Sequence, residues 1–207
     1  MSLWFSSNGD LATYFDKLGP YWDAMQSPER SAHLAHLLEP HAALFSGAQR
    51  VLDVGTGTGA FLPHLYRLAP ETRVVAVDLS HVMLSLARAN GRANGTWYWC
   101  ADAQQLPIVS GQISLITCHD SFAHFEDRPA ALHEFWRALV PGGRLLILHD
   151  ISRDKLNAIH SQADCPRIRT HLLPPVDELA ALVGDVGFTV LTAADAPDHY
   201  LITAQRA

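Results

Sequence analysis

An apolar run that ends in Asp53 continues into glycines at 55, 57 and 59, in the stretch VLDVGTGTG over 51–59. Glycine accepts positive φ and has no Cβ, so this turn lets a bulky ligand lie against the main chain where the next helix begins. The turn alone leaves two cofactor readings open. Gly55, Gly57 and Ala60 satisfy the dinucleotide pattern GxGxxG/A, with Asp78 at the end of the next strand where a ribose-binding acid belongs. A second set that could move protons or hold ligands follows later: His119, His124, His149, Asp150, His160 and His171. Imidazoles titrate near neutrality, so these residues could supply a general base, bind an anionic substrate or ligate a divalent metal with Asp150. Their spacing fits no established metal motif, and the preferred reading is a polar pocket wall with no metal.

The elements that must position these residues follow from periodicity. Strands are expected over 50–55, 73–78, 96–100, 113–118, 143–149, 187–194 and 199–205, with helices over 58–68, 80–93, 128–139 and 176–185. That alternation argues for an α/β fold with a mostly parallel sheet covered on both faces. Only ADAPD joins the last two strands, too few residues for a parallel crossover, so they must form an antiparallel hairpin. Residues 1–47 read as a helical arm or lid and 48–207 as the main domain, with a segment at about 152–175 inserted as a candidate substrate cover. In the arm, apolar residues at 11, 14, 15, 18, 22 and 25 follow helical spacing, and Gly19 and Pro20 are expected to break or kink it. A helix from Pro28 to Phe45 carries His33, His36 and His41, read as solvated. Tyr14, Phe15, Tyr21 and Trp22 serve equally well as core filling or as an aromatic face closing over a cofactor.

Composition narrows the partners. A chain of 207 residues, 48% hydrophobic and 17% charged, suits one well-buried domain. A formal charge of −6 and 15 scattered Lys and Arg give no support for nucleic-acid binding. No apolar run approaches a membrane span, and MSLWFSSNGD does not read as a leader, so a cytoplasmic protein is expected. Cys100, Cys118 and Cys165 form no CxxC pair and read as buried free thiols of a reducing compartment.

Asp53 two residues before the first glycine, VVAVDLS at 74–80, ADAQQLP at 101–107 and LVPGGRLLILHD at 139–150 stand in a telling order. In that order and at those intervals they resemble the class I S-adenosylmethionine-dependent methyltransferases, from about residue 50 to the C-terminus. The inserted segment is similar to one in a poorly characterised type 11/25-like subgroup. The resemblance implies a three-layer, doubly wound, Rossmann-like seven-stranded sheet in the order 3-2-1-4-5-7-6 with strand 7 antiparallel. It also implies S-adenosyl-L-methionine as cofactor, S-adenosyl-L-homocysteine as product and methyl transfer by in-line displacement. By position, Asp53, Gly55, Thr56 and Gly57 would meet the methionine part, Asp78 both ribose hydroxyls, and Leu79 the adenine. Asp102 and Ala103 would meet the adenine edge and His119 the sulfonium, with Tyr14 and Trp22 closing from the arm. His119, His149 and His160 are the candidate catalytic residues. After strand four stands CHDSFAHF rather than an Asn/Asp-Pro-Pro-Tyr tetrapeptide, so the expected acceptor is a small molecule, met by a monomer or homodimer. A noncatalytic cofactor-binding protein or partner subunit, and an NAD(P)-dependent oxidoreductase, are the alternatives.

Overall fold

The computed structural model describes residues 9–92 and 95–207; the stretch 1–8, on which the leader expectation falls, and the expected helix end at residue 93 lie outside them. Seven strands form one sheet: β1 (Arg50–Val54), β2 (Arg73–Asp78), β3 (Trp97–Cys100), β4 (Ile113–His119), β5 (Leu139–His149), β6 (Phe188–Asp195) and β7 (Tyr200–Arg206). Their order is β3-β2-β1-β4-β5-β7-β6. β1 to β5 pair in parallel, and β7 runs antiparallel to both β5 and β6, as the short connection requires. The helices are α1 (Gly9–Trp22), α2 (Arg30–Leu38), α3 (Leu62–Leu68), α4 (His81–Ala89), α5 (Arg128–Ala138), α6 (Arg153–Ser161) and α7 (Val176–Asp185).

Side chains alternate across each strand, so the central strands feed two cores. Val51, Leu115, Leu146 and Leu148 pack on one face against Leu34, Leu38 and Phe45 near α2 and Leu62 and Leu65 of α3. Leu52, Ile116, Leu145 and Ile147 pack on the other against Leu132 and Phe135 of α5 and Leu179 and Val183 of α7. Burial on both faces is why these strands read as continuous apolar runs. Among the described residues, no helix is long and apolar enough to cross a membrane.

Several elements differ from the sequence expectations, each for a local reason. α1 runs unbroken to Trp22, because Pro20 sits in its last turn and forfeits only one helical bond. Gly19 serves helix packing: a Cβ there would meet Leu86 Cδ1 and Val82 Cγ1 of α4 at 3.2 Å. The helix expected at 58 starts only at Leu62, since Gly57 and Gly59 hold φ of 54° and 81°. The helix expected to reach Phe45 gives way after Leu38 to a 3-10 turn over Glu39–Leu44 that carries Pro40. β5 begins at Leu139, directly after α5, with an irregular register against β4 near Ile113. His33 is half-buried rather than solvated, its Nε2 meeting the Asp150 and Asp198 carbonyls at 3.1 and 3.2 Å. Cys100 is exposed on edge strand β3, whereas Cys118 is buried.

The arm rests on the sheet's working end. Asp16 of α1 accepts from Ser80 Oγ at 2.5 Å, where Ser80 caps α4 by accepting from Met83 N. Asp23 accepts from Thr58 Oγ1 at 2.6 Å in the glycine turn. The insertion after β5 is α6 followed by a 3-10 turn over Ile168–Thr170.

Candidate active site

Three cavities meet over the C-terminal ends of β1, β2, β4 and β5, where ligands of doubly wound sheets bind. The first is walled by Gly55, Asp78, Leu79, Asp102 and Ala103, and by Phe15 and Trp22 of α1. The second, smaller one joins it at Gly55 and Gly57 and adds Asp53, Thr56, Arg30 and His119. The third is a chamber of about 750 Å³ between the arm and α6. Trp22 and Asp120 border all three.

The glycine turn is built by close approach. Gly55 N and Thr56 N donate to Val77 O at 2.8 and 3.0 Å, folding the chain back over the end of β2. Gly55 has φ of 71°, and a Cβ on it would stand 2.2 Å from Ser121 Cβ. Asp53 is buried beneath this turn; its Oδ1 accepts from Thr117 Oγ1 at 2.7 Å, while its Oδ2 has no hydrogen bond among the described residues. Burial raises the Asp53 pKa, and the Thr117 hydroxyl and the nearby Thr56 hydroxyl oppose that rise. An orphaned buried carboxylate oxygen is costly unless a ligand donates to it. Asp78 accepts from Gly57 N on one oxygen and Ser80 N on the other, both at 2.8 Å. Burial pushes its carboxyl up to about 6 against those two bonds. Asp102 Oδ1 accepts from Gln104 N and Nε2 at 2.9 and 3.0 Å.

The expected histidines do not form one catalytic group. His119 stacks on Phe61 with centroids 5.0 Å apart, and its Nε2 lies 3.4 Å from Asp120 Oδ2 and 3.5 Å from Asp150 Oδ2. Burial works against charge on His119, but the two carboxylates outweigh it and raise its pKa. Carboxylates that favour the protonated ring leave less of it free to act as a base. His149 is fully buried against Tyr200 behind the cavity walls, its pKa lowered to about 3 by desolvation. His160 reaches the chamber, with Nδ1 bonded to the His171 carbonyl. Tyr14, expected at the cofactor, instead lines the chamber. It neighbours Phe15 on α1, and successive helical residues point about 100° apart, so Phe15 reaches both cavities while Tyr14 borders the chamber.

Two residues that sequence reading did not single out organise the centre. Arg30 Nε donates to Asp150 Oδ2 at 2.6 Å and its Nη2 to Asp120 Oδ2. Asp120 has φ of 51°, the one positive value outside glycine among the described residues, and its Oδ1 accepts from Asp150 N at 3.1 Å. His119, Asp120 and Asp150 present donor atoms within 4.8 Å of one another, a set suited to a divalent cation. The Arg30 guanidinium supplies positive charge at both carboxylates instead.

A sheet of this order, with a glycine turn over β1 and an acid ending β2, defines the class I S-adenosylmethionine-dependent methyltransferase fold. Residues 52–147 match the methyltransferase domain family and form a domain of that S-adenosylmethionine-dependent class. The chain is 40% identical over 108 residues to a demethylmenaquinone methyltransferase of Deinococcus radiodurans, covering 51% of this chain and 45% of that protein. It is 34% identical over 142 residues to the ubiquinone/menaquinone biosynthesis C-methyltransferase UbiE of Klebsiella pneumoniae, covering 66% and 55% respectively. The chain thus spans about half the length of the curated relatives it matches. A solved methyltransferase from Thermotoga maritima, described as a possible histamine N-methyltransferase, superposes with a TM-score of 0.73 at 17% identity, covering 95% of this chain and all 100% of that one.

Proposed function

We propose that the protein transfers a methyl group from S-adenosylmethionine to a small, ring-bearing acceptor held in the chamber between the arm and α6. The observation that carries this reading is the junction. Phe15, Trp22, Asp120 and His124 line both the Gly55–Asp78 cavity and the chamber, so ligands in the two would meet there. Tyr14, Phe15, Leu18 and Trp22 of α1 give the chamber an apolar stretch of wall beside the polar Gln26, Glu29, Arg30 and His33, and Leu156, Ile159 and Ile168 face it from the insertion. Such walls suit a flat apolar ring. The relatives' names point to quinones, and the reduced dihydroxy form of such a ring is the electron-rich form able to attack a methyl carbon.

When bound, S-adenosylmethionine supplies an electrophilic methyl on a positive sulfonium. Asp53 Oδ2 is assigned to the ammonium of its methionine end, because it is a buried acceptor lacking a donor. Gly55, Thr56 and Gly57 line the same small cavity and offer close backbone approach. Asp78 is assigned to the ribose hydroxyls, Leu79 to the adenine face, and Asp102 and Ala103 to the adenine edge, all of them lining the first cavity. Phe15 and Trp22 exclude water at the junction and favour a cation by roughly 0.5–2 kcal/mol. The arm ending at residue 47 thereby acts as a lid, and the segment 152–175 as the acceptor's cover. The protein's part in the chemistry is alignment of the two ligands.

Titration calorimetry tests the cofactor assignment. S-adenosylhomocysteine should bind and NADH should not, and Asp78→Ala should weaken binding roughly 10- to 100-fold by removing charge-assisted hydrogen bonds. Unchanged affinity in that variant would overturn the ribose role. The pH dependence has a definite sign. A hydroxyl-binding Asp78 must be ionised, so affinity should hold above pH 7 and weaken as pH falls through about 6. Ligand-free stability should move the other way, because a raised folded pKa favours the protonated native state as pH falls from about 6 towards 4. Mass-spectrometric detection of methylated product from a reduced isoprenoid 1,4-naphthoquinone tests the acceptor class.

A further inference from the structure

We propose that His124 and His171 form a proton relay that takes the acceptor's proton at the cavity junction and carries it out through the insertion. The proposal rests on the acceptor chamber assigned above. Of the four residues bordering both the chamber and the Gly55–Asp78 cavity, Asp120 and His124 are the ones able to take up a proton. Asp120 is committed to Arg30 and to the Asp150 amide. His124 therefore stands as the base.

Its Nδ1 lies 3.3 Å from Nδ1 of His171. A hydrogen bond between two imidazole nitrogens needs one proton between them, so one ring donates and the other accepts. When His124 donates, its Nε2 carries a lone pair and is the basic nitrogen. The segment bearing His171 is held in place by three side chains. His160 Nδ1 donates to the His171 carbonyl, and Arg128 Nη2 donates to the Leu172 carbonyl at 2.5 Å. Asn157 takes both sides of Leu173, donating to its carbonyl at 3.0 Å and accepting from its N–H at 2.8 Å. Three anchors on three consecutive residues fix the one imidazole that meets His124.

The surroundings set the direction of transfer. Burial, with His160, His171, His149 and Arg128 around it, keeps His124 neutral. Burial also lowers the proton affinity of His171, with Arg167, His160 and Arg128 adding to it, but Glu126 opposes that from the outer side. In the step itself the acceptor's bond to hydrogen breaks and its electron pair stays on the acceptor as the attacking pair. The proton goes to His124 Nε2, the Nδ1 proton of His124 crosses to His171 Nδ1, and His171 gives up its Nε2 proton to water. Both rings end neutral with their tautomers exchanged, and water resets them. No buried imidazolium persists, which avoids the cost of an unpaired buried charge.

Long-range proton–nitrogen NMR on the full chain with ¹⁵N-labelled histidine, saturated with S-adenosylhomocysteine, reads these tautomers directly. His124→Gln assigns the His124 signals. At pH 7.5 the expected result is a neutral His124 protonated on Nδ1 and a neutral His171 protonated on Nε2. In His171→Phe, His124 should shift to the Nε2-protonated tautomer. A wild-type His124 that is an imidazolium, or that carries its proton on Nε2, overturns the relay, as does an unchanged tautomer in His171→Phe. The wild-type spectrum decides the matter even if His171→Phe does not fold. No acceptor is needed, so a failed methylation assay on the naphthoquinol leaves this outcome separately readable.

Discussion

Gly55→Ala is expected to unfold the protein at a temperature roughly 5–15 °C lower and to remove measurable binding of S-adenosylhomocysteine. Two independent terms act at this position. A φ of 71° disfavours any residue with a Cβ, at a cost of about 1–2 kcal/mol. The new Cβ would also stand 2.2 Å from Ser121 Cβ and 2.3 Å from Ser121 Oγ. Ser121 cannot simply rotate away, because its hydroxyl donates to the Val54 carbonyl at 2.9 Å and lies 3.0 Å from Cys118 Sγ. Relieving such overpacking by backbone movement costs about 1–3 kcal/mol. The sum, about 2–5 kcal/mol, brackets the stated shift for a chain of this size, by the usual 2–4 °C per kcal/mol. A double-mutant cycle separates the terms. Ser121→Gly removes the clashing atoms and should return about 1–3 kcal/mol of the Gly55→Ala loss, leaving the φ strain. Thermal melts of the four proteins measure this, and strictly additive effects would show that the contact with Ser121 is not the cause.

That contact illustrates what can be read along the chain and what cannot. The turn at 55–59, the acid at Asp78 and the terminal hairpin are legible because each depends on neighbours a few residues away. Glycines at alternate positions after an apolar strand and a five-residue connection have few structural solutions. The same rules fail where geometry decides locally: glycines permissive enough to line a cavity also postponed α3 to Leu62, and Pro20 proved harmless because the helix was about to end. The organising residues of the site escape sequence reading for another reason. Arg30 meets partners 90 and 120 residues away, and His124 meets His171 across 47. No spacing rule reaches that far. The histidines were conspicuous by type, yet their environments divide them: His119 faces two carboxylates, His149 is sealed, and His124 borders both cavities.

Arg30→Met should destabilise the protein by about 3–5 kcal/mol at pH 7.5, because it removes the cation from two largely buried carboxylates without removing the carboxylates themselves. The Asp150 and Asp120 side chains retain only 8% and 19% of their exposure, so water replaces little of what the guanidinium provides. In the wild type, burial works against charge on Asp150, but its contacts with His119 and Arg30 outweigh it and hold the carboxyl below the usual range. A depressed folded pKa contributes stability that is present above the unfolded value near 3.9 and lost only as pH falls through the folded value. Without Arg30 the sign reverses at Asp150, while Asp120, which burial already raises in the wild type, rises further. Burial then raises the pKa of these carboxyls, the native state takes up protons more readily than the unfolded chain, and the variant gains stability as pH falls from 7 towards 4. The deficit relative to the wild type should therefore narrow by up to about 1.4 kcal/mol per pH unit for each proton taken up. Urea denaturation at pH 7.5, 6 and 5 measures it, and a deficit that stays constant with pH would refute the account. Arg30→Lys keeps the charge but loses the fork that reaches both carboxylates, so it should fall between the two. If the guanidinium does stand where a cation would, millimolar Mg²⁺ or Mn²⁺ should raise the melting temperature of Arg30→Met more than that of the wild type, since only the variant leaves Asp120 and Asp150 without the guanidinium.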